Sequence, residues 1–110
     1  MSLTLYGLKN CDTCKKALKA LEAAGKQVRF VDIRTEADLS ALVPEWLEHA
    51  GSDLLINRRS TSWRNLSDAE RETEPAALLK ANPTLVKRPV IESGREVFVG
   101  WTEDVQAALL

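Results

Sequence analysis

Leu3-Thr4-Leu5-Tyr6-Gly7-Leu8-Lys9-Asn10-Cys11-Asp12-Thr13-Cys14 is the stretch on which the reading of the fold turns. Leu3 to Tyr6 reads as a short strand, and Gly7 ends it. The period then changes. Cys14, Ala17, Leu18 and Leu21 fall at i, i+3, i+4 and i+7, one apolar stripe that predicts a helix over residues 11–24. Asn10 stands where an N-cap is wanted, and Gly25 where a left-handed terminator is wanted. Residues 28–33 read as a second strand with Val28 and Phe30 on one face. The chain therefore opens as β-α-β, which favours parallel strands joined by a right-handed crossover.

Helical spacing returns over residues 36–50, where Leu39, Leu42, Val43, Trp46, Leu47 and Ala50 share a face. Pro44 lies inside that stripe and cannot donate to the carbonyl of Ser40. It predicts a kinked first turn, or a helix that starts near Pro44. Ser67-Asp68-Ala69-Glu70 fits a capping box. Pro75 suits a first helical position, and Asn82-Pro83 stops that helix. Val90-Ile91 and the run 96–99 read as two strands joined through Ser93-Gly94-Arg95. Thr102 then caps a last helix with Glu103 and Asp104 at its positive end and Val105, Ala108 and Leu109 as its apolar positions. With residues 36–82 taken as a helical insertion, what remains (1–35 and 83–110) is β-α-β plus β-β-α. That is the thioredoxin-like order, an α/β fold with a mixed sheet, and the whole chain 1–110 reads as a single domain.

The composition agrees. One hundred and ten residues, 45% apolar, suffice for one core. Fifteen basic and 16 acidic side chains leave a net charge of -1, so broad attraction to nucleic acid or to an anionic membrane is not expected. No apolar run approaches the about 18 residues of a membrane span. The first residues are too polar for a secretory leader, so the cytoplasm is the expected location. In that reducing compartment a cysteine pair points to catalysis, redox sensing or metal binding rather than to a structural staple.

Cys11-Asp12-Thr13-Cys14 is a C-x-x-C placed between a first strand and a first helix, as in a thioredoxin-like redox motif. At the start of a helix, unpaired N–H groups and the positive helix end stabilise a thiolate, which is the nucleophilic form. Lys9, Lys15 and Lys16 add positive charge. Cys14 lies one turn on, close enough for a disulfide. Because it falls on the apolar stripe, it reads either as a buried resolving thiol or as simple core. A zinc site would need two more ligands, and the chain has no third cysteine and one histidine, His49, so no metal is expected. Thr13 has two readings, a hydroxyl donor to the thiolate or a helix cap. Arg58, Arg59 and Arg64 form a basic cluster that either faces the cysteine pocket through Arg58 or is a solvated loop. Trp63 and Trp101 read as loop residues.

Four segments follow one another over nearly the whole chain: residues 5–17 around Lys9-Asn10-Cys11-Asp12-Thr13; Leu55-Ile56-Asn57-Arg58-Arg59-Ser60-Thr61-Ser62-Trp63-Arg64-Asn65-Leu66; Asn82-Pro83-Thr84-Leu85-Val86-Lys87-Arg88-Pro89-Val90; and Val99-Gly100-Trp101 before an acidic helix start. Their order and spacing resemble the arsenate reductase (ArsC)-related family. The resemblance implies a nucleophilic Cys11, an Arg88 facing it and a cis bond before Pro89. A guanidinium beside a thiolate lowers the thiol's pKa and can also hold an oxyanion bidentately. The resemblance places Asn10, Thr13, Asn57, Arg58 and Pro89 around the substrate.

Three branches of that family give three functional expectations. The Lys9–Thr13 run, the Asn57-Arg58 pair and the Ser60–Trp63 run resemble most the branch of presumed glutathione-dependent thiol reductases. These would carry no bound cofactor and use glutathione as co-substrate, or a glutaredoxin-type reductant. Members of that branch have a single cysteine here, and Cys14 departs from it. Arsenate reductases coupled to glutathione and glutaredoxin gather three arginines round the cysteine; this sequence matches one, Arg88, with Asn57 and the uncharged Phe98-Val99-Gly100 stretch at the other two places and Arg95 near the last. Spx-type regulators carry C-x-x-C as a redox switch and bind RNA polymerase, a partner expected only under that alternative. The leading expectation is a glutathione-dependent thiol–disulfide oxidoreductase with Cys11, Cys14 and Arg88 as its catalytic residues.

Overall fold

A computed structural model of the chain describes residues 2–110. The elements run β1 (Ser2–Gly7), α1 (Asp12–Ala23), β2 (Gln27–Asp32), α2 (Leu39–Ala50), α3 (Ser52–Leu55), α4 (Thr61–Arg64), α5 (Asp68–Arg71), α6 (Pro75–Ala81), a 3-10 turn (Pro83–Leu85), β3 (Val90–Ser93), β4 (Glu96–Val99) and α7 (Glu103–Leu109). The chain divides into two compact units. A sheet unit runs up to Ala37 and resumes over Arg88–Leu110; a helical unit occupies Asp38–Lys87.

In the sheet unit the strand order is β2-β1-β3-β4. β1 and β2 are parallel, with Leu5 opposite Phe30. β3 lies antiparallel to β1, with Leu5 also opposite Ile91, and β4 returns antiparallel along β3. This mixed α/β sheet is the thioredoxin-like fold. Because side chains alternate along a strand, Leu3, Leu5 and Ile91 share a face. Cys14, Ala17 and Leu21 of α1 and Val105 and Leu109 of α7 close over that face. Leu5, Leu21 and Ile91 are fully buried, each worth about 1.5–3 kcal/mol of transfer free energy. On the other face the Tyr6 hydroxyl donates to Glu92 Oε1 at 2.9 Å.

Local signals set the element ends. Lys26 N–H returns to Leu21 O and Gly25 N–H to Glu22 O, both at 3.0 Å. This Schellman motif needs the left-handed φ of +81° that Gly25 adopts. Gly94, at φ +60°, opens the two-residue turn between β3 and β4, where a type II′ hairpin favours glycine. Thr102 Oγ1 accepts from Val105 N–H at 3.3 Å and starts α7. The capping box on Ser67 and Glu70 forms in both directions.

Several expectations need correction. The N-cap of α1 is Cys11 rather than Asn10, so the helix begins one residue later than the apolar stripe suggested. α2 runs unbroken through Pro44 from Leu39; the missing proline donor removes one helical bond to Ser40, and burial of Val43 and Trp46 outweighs that loss. Ala108 is exposed, whereas Val105 and Leu109 are buried. Trp63 lies in α4, not in a loop. The helical unit has its own core, with Val43, Trp46, Leu55, Leu79, Leu85 and Val86 buried. Its middle is tied to its last residues by an Ile56–Val86 bridge, with Asn57 N–H on Leu85 O at 2.7 Å and Lys87 N–H on Leu55 O at 2.8 Å. Among the described residues no helix is long and apolar enough to cross a membrane.

Gly7 does more than end a strand. A Cβ built on it would lie 2.5 Å from Cys14 Sγ and 3.2 Å from Cys14 Cβ. Gly7→Ala is therefore expected to lower unfolding free energy by about 1–3 kcal/mol. In a double-mutant cycle read by urea denaturation, Cys14→Ala, which deletes the obstructing sulfur, recovers much of that loss. Additive costs would show that the contact is not tight.

Candidate active site

The reactive geometry is assembled at the start of α1. Cys11 has extended φ and ψ of -92° and 117°, and its N–H donates back to Leu8 O at 3.1 Å while its carbonyl accepts Lys15 N–H at 3.0 Å. The chain thus turns tightly from β1 into the helix, and the Cys11 side chain leaves at the positive helix end. Half-buried, it packs against the edge of the apolar core. Cys14 is 1% exposed, because the i+3 spacing carries it onto the stripe that faces β1. Both are free thiols.

The two sulfurs are held at different acidities. Burial alone would push the Cys11 thiol up. The Cys14 backbone N–H, a hydrogen bond from the Cys14 thiol, and the charge and hydrogen bond of Arg88 outweigh it, so Cys11 lies below its ordinary value. No capping hydrogen bond closes on the Cys11 side chain; the Cys14 N–H instead favours the charged sulfur. Cys14 is pushed up to about 12, first by burial and then by the hydrogen bond and charge of Cys11, against the opposing pull of the Leu8 backbone and Arg88. The pair is therefore one accessible thiol shifted toward its thiolate form and one buried thiol held protonated. A thiolate with a partner thiol and a guanidinium beside it can attack a disulfide and accept an anion.

The residues singled out in the sequence are placed as follows. Cys11, Cys14 and Arg88 come together. The Arg88–Pro89 bond is cis, Pro89 is buried, and its carbonyl accepts Gly100 N–H at 2.8 Å, joining the entry to β3 to the end of β4. Asn10 is exposed in the turn before Cys11, and Thr13 is exposed on the first turn of α1, inside the helix rather than capping it. Asn57 and Arg58 belong to the helical unit. Asn57 Oδ1 accepts Arg59 N–H at 3.2 Å and its carbonyl accepts the Ser60 hydroxyl at 2.8 Å, which orders that loop. Arg58 pairs with Asp53 at 3.2 Å and stacks on Trp63 at 5.4 Å, with Arg71 at 5.4 Å from the same ring. Gly7 and Leu8 were missed. Gly7 makes room for the second sulfur, and Leu8 directs a backbone group at it. A glycine at a strand end next to a cysteine turn was the available signal.

The acidities give a direct test. The alkylation rate of Cys11 with iodoacetamide, followed against pH, is expected to titrate below the ordinary thiol value of 9.0. Arg88→Gln moves the midpoint upward, and the rate at pH 7 falls roughly tenfold for each 1.4 kcal/mol of thiolate stabilisation removed. A midpoint unmoved by the substitution would remove Arg88 from the site.

The ArsC family pattern matches residues 6–109. An uncharacterised protein of Haemophilus influenzae is 40% identical over 112 residues, covering 96% of this chain and 97% of its own. The solution structure of an arsenate reductase (ArsC) related protein from Brucella melitensis is 35% identical and superposes with a TM-score of 0.77 over 98% of this chain and 93% of that one. The global transcriptional regulator Spx of Streptococcus pneumoniae is 30% identical over 117 residues, 98% of this chain and 85% of the regulator. With the motif order, the mixed sheet and the paired cysteines at the first helix already in place, the match across almost its full length makes this chain a member of the ArsC family.

Proposed function

We propose that the protein is a cytoplasmic thiol–disulfide reductase that draws its electrons from glutathione. The observation that carries the reading is a half-buried free Cys11 at the start of α1 with a fully buried free Cys14 one turn on, an arrangement that lowers the first thiol and raises the second. The Cys11 thiolate attacks one sulfur of a substrate disulfide; an S–S bond to Cys11 forms and the other half leaves as a thiolate, which takes a proton from solvent. Once Cys11 is capped, the charge and hydrogen bond by which it raised Cys14 are gone. Cys14 then becomes easier to deprotonate, attacks Cys11 Sγ, releases the second half of the substrate and leaves a Cys11–Cys14 disulfide. One glutathione thiolate opens that disulfide at Cys11 and a second removes the glutathionyl group. Overall, one disulfide and two glutathione molecules yield two thiols and one glutathione disulfide.

This order follows from the acidities. The more acidic and more accessible thiol attacks first, and it is also the better leaving group when its partner resolves. Arg88 favours the charged form of Cys11 and offers a guanidinium to an anionic substrate. A redox-switched regulator is the second reading, favoured by Cys14 together with the Spx relatives; it predicts the same disulfide without turnover and redox-dependent binding to RNA polymerase.

Intact mass after exposure to excess oxidised glutathione separates the possibilities. The parent is expected to end two hydrogens lighter. Cys14→Ser is expected to trap one glutathione on Cys11, and Cys11→Ser to gain none. Catalysed reduction of a small disulfide by glutathione accompanies this in the parent and is lost in Cys11→Ser. A Cys14→Ser protein that takes up no glutathione overturns the reading, and a parent that forms the disulfide without turnover transfers it to the switch.

A further inference from the structure

At the carboxyl ends of β1 and β2 lies a cavity of about 210 Å³ that the thiol chemistry leaves unused. It is lined by Leu8, Lys9, Asn10, Asp32, Arg34 and Thr35. These come from the two loops that leave the paired ends of the parallel strands, and one of those loops runs directly into Cys11. Asn10 precedes Cys11 in the chain, so their Cα atoms are about 3.8 Å apart. The cavity wall and the reactive residue are consecutive.

The charges in the cavity are mixed and one of them is fixed. Asp32 Oδ1 accepts the N–H of Arg34 at 2.8 Å and of Thr35 at 3.2 Å. The Asp32 N–H in turn donates to Glu36 Oε1 at 3.0 Å. The Arg34 backbone hydrogen bond, helped by that of Thr35 and by the Arg34 charge, holds the Asp32 carboxyl below its usual range. The cavity therefore presents one oriented carboxylate with two cations, Lys9 and Arg34, over the apolar floor of Leu8. A simple oxyanion would meet Asp32 as a like charge. A head group with an ammonium and a carboxylate on one carbon meets complementary charge at both. Glutathione carries two carboxylates and one ammonium at neutral pH, the inverse of the two cations and one carboxylate here.

We infer that this cavity is a subsite for the γ-glutamyl end of a glutathione-type thiol, with Asp32 on its α-ammonium, Arg34 and Lys9 on its α-carboxylate, and the thiol directed toward Cys11. The inference rests on the glutathione reading and specifies where that substrate is held. Asn10, the residue between the cavity and Cys11, then contacts the substrate backbone.

S-methylglutathione, which cannot exchange with a thiol, tests it. Titrated into the reduced, 15N-labelled protein, it is expected to give saturating amide shifts at Lys9, Asn10, Asp32, Arg34 and Thr35. Its counterpart with glutaryl in place of γ-glutamyl, which lacks the ammonium, is expected to bind roughly tenfold more weakly. Asp32→Asn retains an acceptor for the Arg34 and Thr35 N–H groups while removing the charge, and is expected to abolish the difference between the two ligands; Arg34→Gln weakens both. Shifts absent from these residues, or equal binding of the two ligands by the parent, overturn the subsite. Binding with this pattern while Cys11 takes up no glutathione keeps the subsite and removes the thiol reading, and the reverse result removes the subsite alone.

Discussion

Where β1 meets α1, a glycine and a cysteine occupy what would otherwise be the space of one side chain. The sulfur of Cys14 lies 2.5 Å from where a Cβ on residue 7 would be, so the first turn of the helix lies against the strand end. That close approach places Cys11 one turn earlier, at the cap position, with its sulfur at the positive end of the helix rather than in the core. It also seats the apolar stripe of α1 over Leu3 and Leu5, the residues that pair on one side with β2 and on the other with β3. A larger residue at position 7 would disturb the helix, the core beneath it and the reactive sulfur together.

From this arrangement two chemically identical side chains acquire different behaviour. Burial raises both. What separates them is how deeply each is buried and how many donors reach each sulfur. Cys11 receives the Cys14 N–H, the Cys14 thiol and Arg88, while Cys14 is fully enclosed and carries the added burden of a charged neighbour. The asymmetry is thus a property of the pair. Each sulfur sets part of the other's acidity. Pro89, buried and bonded through its carbonyl to Gly100 N–H, anchors the segment that carries Arg88 to the β3–β4 hairpin. The guanidinium is therefore mounted on sheet rather than on a free loop.

Much of this was legible because it is local. The stripe Cys14, Ala17, Leu18, Leu21, the capping box at Ser67, the glycine of the hairpin and the threonine before α7 all act within a few residues, and each formed as its pattern implied. The misreadings share a cause as well. The start of α1 was set one residue early because Asn10 is the better intrinsic cap, whereas the tertiary packing of Cys14 chooses the register. Pro44 was weighed by its own cost, which the burial of Trp46 outweighs. Trp63 looked like a loop residue because a four-residue helix shows no period. It is ordered instead by two arginines, one of which also donates to its carbonyl. No spacing rule brings Arg88 to Cys11; that juxtaposition followed from family resemblance alone. Asp32 was read only as part of the second strand, and Arg34 and Thr35 drew no notice, since a polar turn after a strand is ordinary until the neighbouring loop is known.

The sheet that carries the cysteines is not continuous in the chain. Leu5 pairs with Ile91, and a whole helical unit is threaded between the strands they belong to. During synthesis from the N-terminus, both thiols emerge long before the guanidinium that sharpens one of them. An unfinished chain therefore exposes a sulfur closer to ordinary cysteine in acidity, slower to react with stray electrophiles and oxidants. The part of the nucleophile's acidity that comes from Arg88 is added only when the last strands of the sheet join it, so the reactive sulfur is finished by the same segment that finishes the fold.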